Sequence, residues 1–475
     1  MAFIRLKKIY NNTYAYEVWN EKDETGKWKQ KSKYLGVLTD KENKTYEKKS
    51  KTKKITEIQE KKETQILDYG DTYLINKIVE QLPVINTLKT VFGDYFDTLM
   101  ALVFHRITGG QAMCYAEDWY NGNYVNKLFP NANISSQNIS KFLSYLGKEI
   151  VQKAFFSKYI PLLNKDKSNI VIDSTGLPNK INMSVTDWGY HNGGIEFETR
   201  LILAIDKESE LPLYFRYVAG NIGDVSTLTN TIKEMQNNGI TTSSALIDAG
   251  YYSESNLRML FAEKISFLIR MPSNRLVYKE IIEQNTDIEN PQYIITYNKR
   301  GLFVKEIPVD IYDGKAYAYL VLDPERRGNE ISKAISPIDE KGIDIEKIDL
   351  SNYGKMILLS SEQLKTNEVV PLYYTRQIAE KMFCIAKDDL NILPLRTHSE
   401  PNFKGFMLLV FISLIIICAV KKRLGKKISI EQVISVLRTL KCKVYTNEIV
   451  PSEITKKQRL IFEETNVLVP KTSGI

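Results

Sequence analysis

Two short runs constrain the fold of this chain more than any other feature: NIVID, ending at Asp173, and SALID, ending at Asp248. Each is almost wholly apolar and followed by turn residues, the profile of a buried strand. Each stops on a carboxylate. Around them lie ETRLILAID and LPLYFRYVAGN, two strand-like runs about a turn at Lys207–Glu210. A helical stretch from Asp224 to Asn237, a second from Ser253 to Glu263, and the strand ISFLIRM complete the pattern. Strand–strand–strand–helix–strand–helix–strand predicts a mixed α/β sheet.

At 475 residues the chain has room for two to four domains at about 150 residues each. Residues 1–63 hold the runs IRLKKIY, TYAYEVW and KWKQKSKYLGVL, with turn residues at Asp23–Gly26. Basic side chains interleave there with Tyr14, Tyr16, Trp19, Trp28 and Tyr34, so a small basic sheet able to grip a phosphate backbone is expected. The charged stretch Lys41–Lys62 reads as a linker or an exposed helix. Residues 64–165 show helical periodicity, 166–275 carry the α/β pattern, and 276–370 are rich in strand-like runs. Helices return over 371–440, and 441–475 reads as a basic tail.

Charge follows the same division. Residues 1–70 hold 17 Lys and Arg against 11 Asp and Glu, and residues 421–475 hold 12 against 5. Basic ends around a mildly acidic centre suit a polyanion held at the periphery. A merely solvated Lys-rich surface fits the same numbers. Residues 405–420, GFMLLVFISLIIICAV, fall short of the roughly 18 to 20 apolar residues of a membrane helix and read as a buried core helix. With no secretory run in MAFIRLKKIY, a cytoplasmic protein without a membrane segment is expected.

Composition narrows the chemistry. The four cysteines (Cys114, Cys384, Cys418, Cys442) are scattered, which excludes a disulfide scaffold and a cysteine-built zinc site. Three histidines leave little material for Ser-His-Asp catalysis or His-rich metal sites. There is no Gly-x4-Gly-Lys-Ser/Thr loop, so ATP is not implied.

Carboxylates remain. In YYTRQIAEKMFCIAKDDL, a helix turning 100° per residue puts Tyr373, Arg376 and Lys387 within 40° of Glu380, with Tyr374, Ile378, Met382, Ile385 and Ala386 opposite. An ordinary amphipathic helix with an Arg376–Glu380 pair would look the same. Taken with the two strand aspartates, however, Glu380 completes the minimum set for two divalent cations. Hard carboxylate oxygens suit Mg²⁺, and two ions about 3.5–4 Å apart serve in-line phosphoryl transfer. Arg376 and Lys387 beside them suit phosphate contacts.

The spacing Tyr373-x2-Arg376-x3-Glu380-x6-Lys387 resembles the Tyr-Arg-Glu-Lys signature of bacterial insertion-sequence DDE transposases. VIDSTG around Asp173, AGNIGD at 219–224 and LIDAGYYSESN around Asp248 resemble that family's other blocks, over about residues 165–440. The resemblance implies an RNase H-like core with Asp173, Asp248 and Glu380 as catalytic, metal-binding residues, interrupted by a β-rich insertion over 276–370. It implies Mg²⁺ (or Mn²⁺) as cofactor, double-stranded DNA ends and target as partners, and a homodimer in the DNA complex. Strand cleavage followed by 3′-OH strand transfer is the implied reaction. Tyr373, Arg376 and Lys387 are the implied DNA-binding residues. A nuclease that cuts without joining, or an inactive DNA-binding relic, would share the same residues.

In some relatives a Trp of the insertion stacks on DNA, whereas this insertion has no Trp. Tyr278, Tyr293, Tyr297 or Phe303 are the candidate substitutes. Asp224 reads as a helix cap or an accessory acid, and His191 as loop surface or a substrate contact. Trp188 reads as packing, and the Lys421–Arg423 and Lys426–Lys427 clusters as DNA contacts or a solvated helix end.

Overall fold

The computed structural model describes residues 2–9, 12–22, 26–40, 44–48, 63–110, 112–163, 168–191, 194–335, 350–397, 399–425 and 428–474. The turn residues 23–25, most of the 41–62 stretch and Lys426–Lys427 lie outside it. The chain forms two compact units, 1–62 and 63–475.

The first unit is an antiparallel sheet of β1 (Phe3–Ile9), β2 (Asn12–Lys22), β3 (Trp28–Asp40) and β4 (Thr45–Glu47), in that order. Its core is small: Ala15, Val18 and Val37 are buried. Every residue of β1 is exposed, including Phe3, Ile4 and Leu6 beside Arg5, Lys7 and Lys8.

The second unit begins with β5 (Glu63–Asp68) and a run of helices from Gly70 to Leu163. The central sheet then starts with β6 (Ser168–Pro178), β7 (Asp187–His191), β8 (Gly194–Asp206) and β9 (Leu211–Ala219). β6 pairs antiparallel with β8, and β8 with β9. β10 (Thr242–Ile247) and β11 (Ser266–Met271) continue from the other edge of β6, all three parallel. Helices Asp224–Asn237 and Glu254–Ala262 make the crossovers. The order β9-β8-β6-β10-β11, with the first three strands antiparallel and the last two parallel to β6, is the RNase H-like arrangement.

The span 276–370 supplies β12 (Ile294–Tyr297), β13 (Arg300–Ile311), β14 (Gly314–Leu322) and β15 (Lys355–Ser360). These strands form no sheet of their own. β15 pairs antiparallel with β11, so the insertion extends the central sheet from its edge to ten strands.

Residues 441–475 are not a tail. β16 (Lys441–Tyr445), β17 (Glu448–Pro451) and β18 (Ser473–Gly474) join β5 in a second sheet, followed along the chain by a helix, Lys456–Glu464, with a capping box from Thr455 and Gln458. Cys442 and Val444 point inward while Lys443 points out, an alternation masked by the basic composition.

The apolar run lies in a helix of 25 residues, Glu400–Leu424. It is long and apolar enough to cross a membrane, yet 89% of its most apolar window is buried inside the protein. Phe411 packs against Phe155, Phe156, Tyr159 and Phe215. Each such side chain contributes roughly 1.5–3 kcal/mol on burial. The helix Ser136–Leu146 crosses it closely because Gly405 and Gly147 meet backbone there: a Cβ on Gly405 would sit 1.8 Å from the Leu143 carbonyl oxygen.

Candidate active site

Main-chain pairing brings the first two acids together. Ile172 of β6 and Ile247 of β10 are register partners, the last pair before the strands part. Asp173 and Asp248 are the next residues on each, and neighbouring strands run about 4.8 Å apart. Asp248 follows the end of β10, as expected. Asp173 does not end its strand: β6 continues to Pro178 because β8 pairs with it throughout.

The pleat sends successive side chains of β6 to opposite faces. Asp173 and Thr175 face one side of the sheet, and Ser174 and Gly176 the other. On the first side lies the signature segment. The expected single helix is broken into Thr366–Tyr374, Gln377–Cys384 and an i→i+5 turn at Ile385–Asp389. Tyr373 lies in the last turn of the first piece, Arg376 sits at the junction, Glu380 lies in the second piece and Lys387 in the turn. Tyr373 and Arg376 still reach the strand aspartates, Glu380 joins them through Arg376, and Lys387 reaches Thr175 on the same face of β6.

Arg376 is the centre. Its Nη1 donates to Asp173 Oδ2 at 2.8 Å and its Nη2 to Glu380 Oε1 at 2.9 Å, while Nε lies 3.8 Å from Asp248 Oδ1. The Tyr373 hydroxyl donates to Asp248 Oδ1 at 3.0 Å, and Lys387 Nζ to Thr175 Oγ1 at 2.8 Å. Burial pushes the Asp173 carboxyl up to about 6 despite the Arg376 guanidinium. Burial works against the Arg376 charge, but Asp248 and Asp173 hold its pKa above the ordinary value. Burial pulls Lys387 down and pushes Tyr373 up, so Tyr373 stays a hydrogen-bond donor.

Three carboxylates thus share one cation. Among the described residues no three Asp, Glu, His or Cys side chains stand close enough to hold a metal ion as they are. The donor chemistry nonetheless fits a hard divalent cation: the oxygens are carboxylate, and a guanidinium already sits among them.

The other side of the sheet holds Asp224 together with Ser174, Arg200 and Glu198, which the sequence did not single out. Ser174 Oγ donates to Asp224 Oδ1 at 2.6 Å, and Arg200 Nη1 donates to the same oxygen at 3.0 Å. Asp224 is therefore not a cap; Gly223 occupies that position. Arg200 Nη2 also lies 3.5 Å from Glu198 Oε1, and Glu198 is fully buried. The available signal was two charges at alternate positions of the buried strand ETRLILAID. Glycines make room for Glu198: a Cβ on Gly176 would fall 1.8 Å from its Oε2, and one on Gly189 2.5 Å from its Oε1. Gly176→Ala is therefore expected to cost about 1–3 kcal/mol. The check is the urea midpoint of unfolding, and an unchanged midpoint would mean that Glu198 has another place to go.

The remaining candidates separate. Tyr278 is 2% exposed and cannot stack on a ligand. Tyr297 stacks on Tyr374 at 5.4 Å, Tyr293 faces Lys305, and Phe303 is partly buried. Trp188, expected as packing, is 62% exposed on the β7–β8 hairpin beside Tyr190 and Ile195. His191 lies in β7. The Lys421–Arg423 cluster is engaged within the protein: Lys421 with Asp389, Lys422 with the Ser209 carbonyl and Arg423 with the Thr465 carbonyl.

A family model described as a transposase DDE domain matches residues 164–416, more than half of the chain. No curated protein matches. Among solved structures, the piggyBac transposase synaptic complex with hairpin DNA is similar at 12% identity and a TM-score of 0.39, over 78% of this chain and 79% of that one.

Proposed function

The chain belongs to the DDE transposase family, and from that premise we propose that it is the transposase of a bacterial insertion sequence. It binds the element's terminal inverted repeats, cleaves the strands and joins the freed 3′-OH ends to target DNA. Asp173, Asp248 and Glu380 are its catalytic acids and would hold divalent metal, Mg²⁺ first and Mn²⁺ in its place. Bound there, two such ions would activate the attacking oxygen and stabilise the leaving one. The observation that carries this reading is the gathering of all three carboxylates around one guanidinium.

The residues divide the work. Arg376 neutralises the acids in the metal-free chain; with metal held by the acids instead, its fork would be available to a DNA phosphate. Lys387 brings a point charge to the same strand, and Tyr373, itself buried, orients Asp248 through its hydroxyl at the DNA end. Cutting and joining two ends calls for two copies of the chain on the DNA. The cytoplasm, with the chromosome as target, is the place of action.

The test is cleavage and joining of a duplex carrying the element's end, with Mg²⁺ or with EDTA. Metal-dependent nicking followed by 3′-OH joining is expected. Cutting without joining would make the chain a nuclease, and metal-independent cutting would remove the acids from the mechanism. The basic sheet of 1–62 forms its own compact unit, so its deletion is expected to weaken binding to that duplex while leaving the melting of 63–475 unchanged. Loss of folding would assign that sheet a structural role instead.

A further inference from the structure

A cavity of about 830 Å³ lies among the loop 391–397, the helix Ser136–Leu146 and the start of the long helix. Its polar lining includes Arg106, Arg396, Thr397, Ser136, Ser140 and Asn402, and no carboxylate is found among the described residues around it. Arg106 is only 6% exposed. Its Nη2 donates to the carbonyls of Leu390 and Asn391, and its guanidinium lies 5.4 Å from the Phe406 ring. Its Nε is buried without a hydrogen-bond partner, and so is Thr397 Oγ1.

Arg396 is exposed and makes no hydrogen bond or ion pair with the described residues. Burial, and after it the like charge of Arg396, pulls Arg106 down to about 10. Two arginines and a threonine with an unpartnered hydroxyl therefore line one space that has no carboxylate in its described lining. Arg106 Nε and the Thr397 hydroxyl are left without acceptors, and an anion with several oxygens would supply them while offsetting the charge of Arg396. Leu390 and Asn391, whose carbonyls Arg106 holds, directly follow the turn that carries Lys387.

We propose that this cavity takes one backbone phosphate of the bound DNA, gripped by Arg396 and Arg106 with Thr397 donating its hydroxyl. A free phosphate shares the chemistry. The strand context beside Lys387 favours DNA, and to that extent the proposal rests on the transposase reading.

The experiment is fluorescence anisotropy of the full chain on an end duplex over a range of salt. Arg396→Gln is expected to make the slope of log K against log salt shallower by about 0.9, the value of one phosphate contact, with affinity about tenfold lower. Thr397→Val carries no charge change and should lower affinity severalfold at an unchanged slope. Were Arg396→Gln effective but Thr397→Val silent, general attraction would account for the result and the site would be overturned. No effect of either variant would overturn it too, with wild-type binding still upholding the transposase reading. Failure of the wild type to bind any duplex would overturn both. A final arm adds millimolar inorganic phosphate in a thermal melt. Protection of wild type but not of Arg396→Gln, with DNA slopes unchanged, would make the cavity a small-anion site and overturn DNA as its occupant.

Discussion

Asp173→Asn, Asp248→Asn and Glu380→Gln are each expected to lower strand cleavage by on the order of a thousandfold while barely changing affinity for the same duplex. Each amide keeps the size of the acid it replaces and removes only its charge. Metal ligation needs the ionised oxygen, whereas DNA affinity comes from Lys and Arg elsewhere. The three positions differ in surroundings. Asp173 is largely shielded and accepts from the Ser174 amide at 2.9 Å as well as from Arg376, whereas Glu380 has half its side chain in solvent. Single-turnover cleavage and a binding isotherm, measured on the same preparations, check the split. Activity retained in any one variant would remove that residue from the catalytic set.

Arg376→Gln is expected to bind Mn²⁺ about tenfold more tightly than the wild type in metal titration calorimetry. In the wild-type chain a cation entering among the acids must displace the guanidinium. The contact with Asp173 counts most, since both side chains are largely shielded; the one with Glu380 is discounted for exposure, and the 3.8 Å approach to Asp248 is weaker still. One charge-assisted hydrogen bond of about 1.5 kcal/mol corresponds to roughly tenfold in affinity. The variant should also melt lower without metal, because three carboxylates then face one another uncompensated. Equal or weaker Mn²⁺ binding would show that Arg376 does not compete for the site. No binding by either protein would remove the metal from the proposed mechanism.

Much of the central sheet was legible because its strands are apolar in unbroken runs, and the segment carrying Glu380 because its functional groups share one stripe. Pairing was not legible. Nothing in NIVIDSTGLP says that β10 leaves β6 after Ile172 while β8 stays with it to Pro178, yet that difference puts Asp173 in mid-strand. The breaks around Thr375 and Arg376 were invisible for a related reason: stripe counting assumes one axis, and the convergence on Asp173 and Asp248 is tertiary. Residues 441–451 looked like a tail because their partner, β5, lies more than 370 residues away in sequence. Glu198 and Arg200 alternate as charges on an exposed edge would; only the three-dimensional packing buries them.

The register that joins Ile172 to Ile247 also decides what in this chain can drift. Two of the three acids are spaced by backbone pairing deep in the sheet, where a one-residue slip would turn Asp173 to the wrong face. The strands of the 276–370 span, by contrast, accrete on the far edge of β11, outward from that pairing. New strands can be gained or lost there without moving Asp173 or Asp248. The fold thus sets the spacing of Asp173 and Asp248 by a few central pairs and leaves its rim open to elaboration.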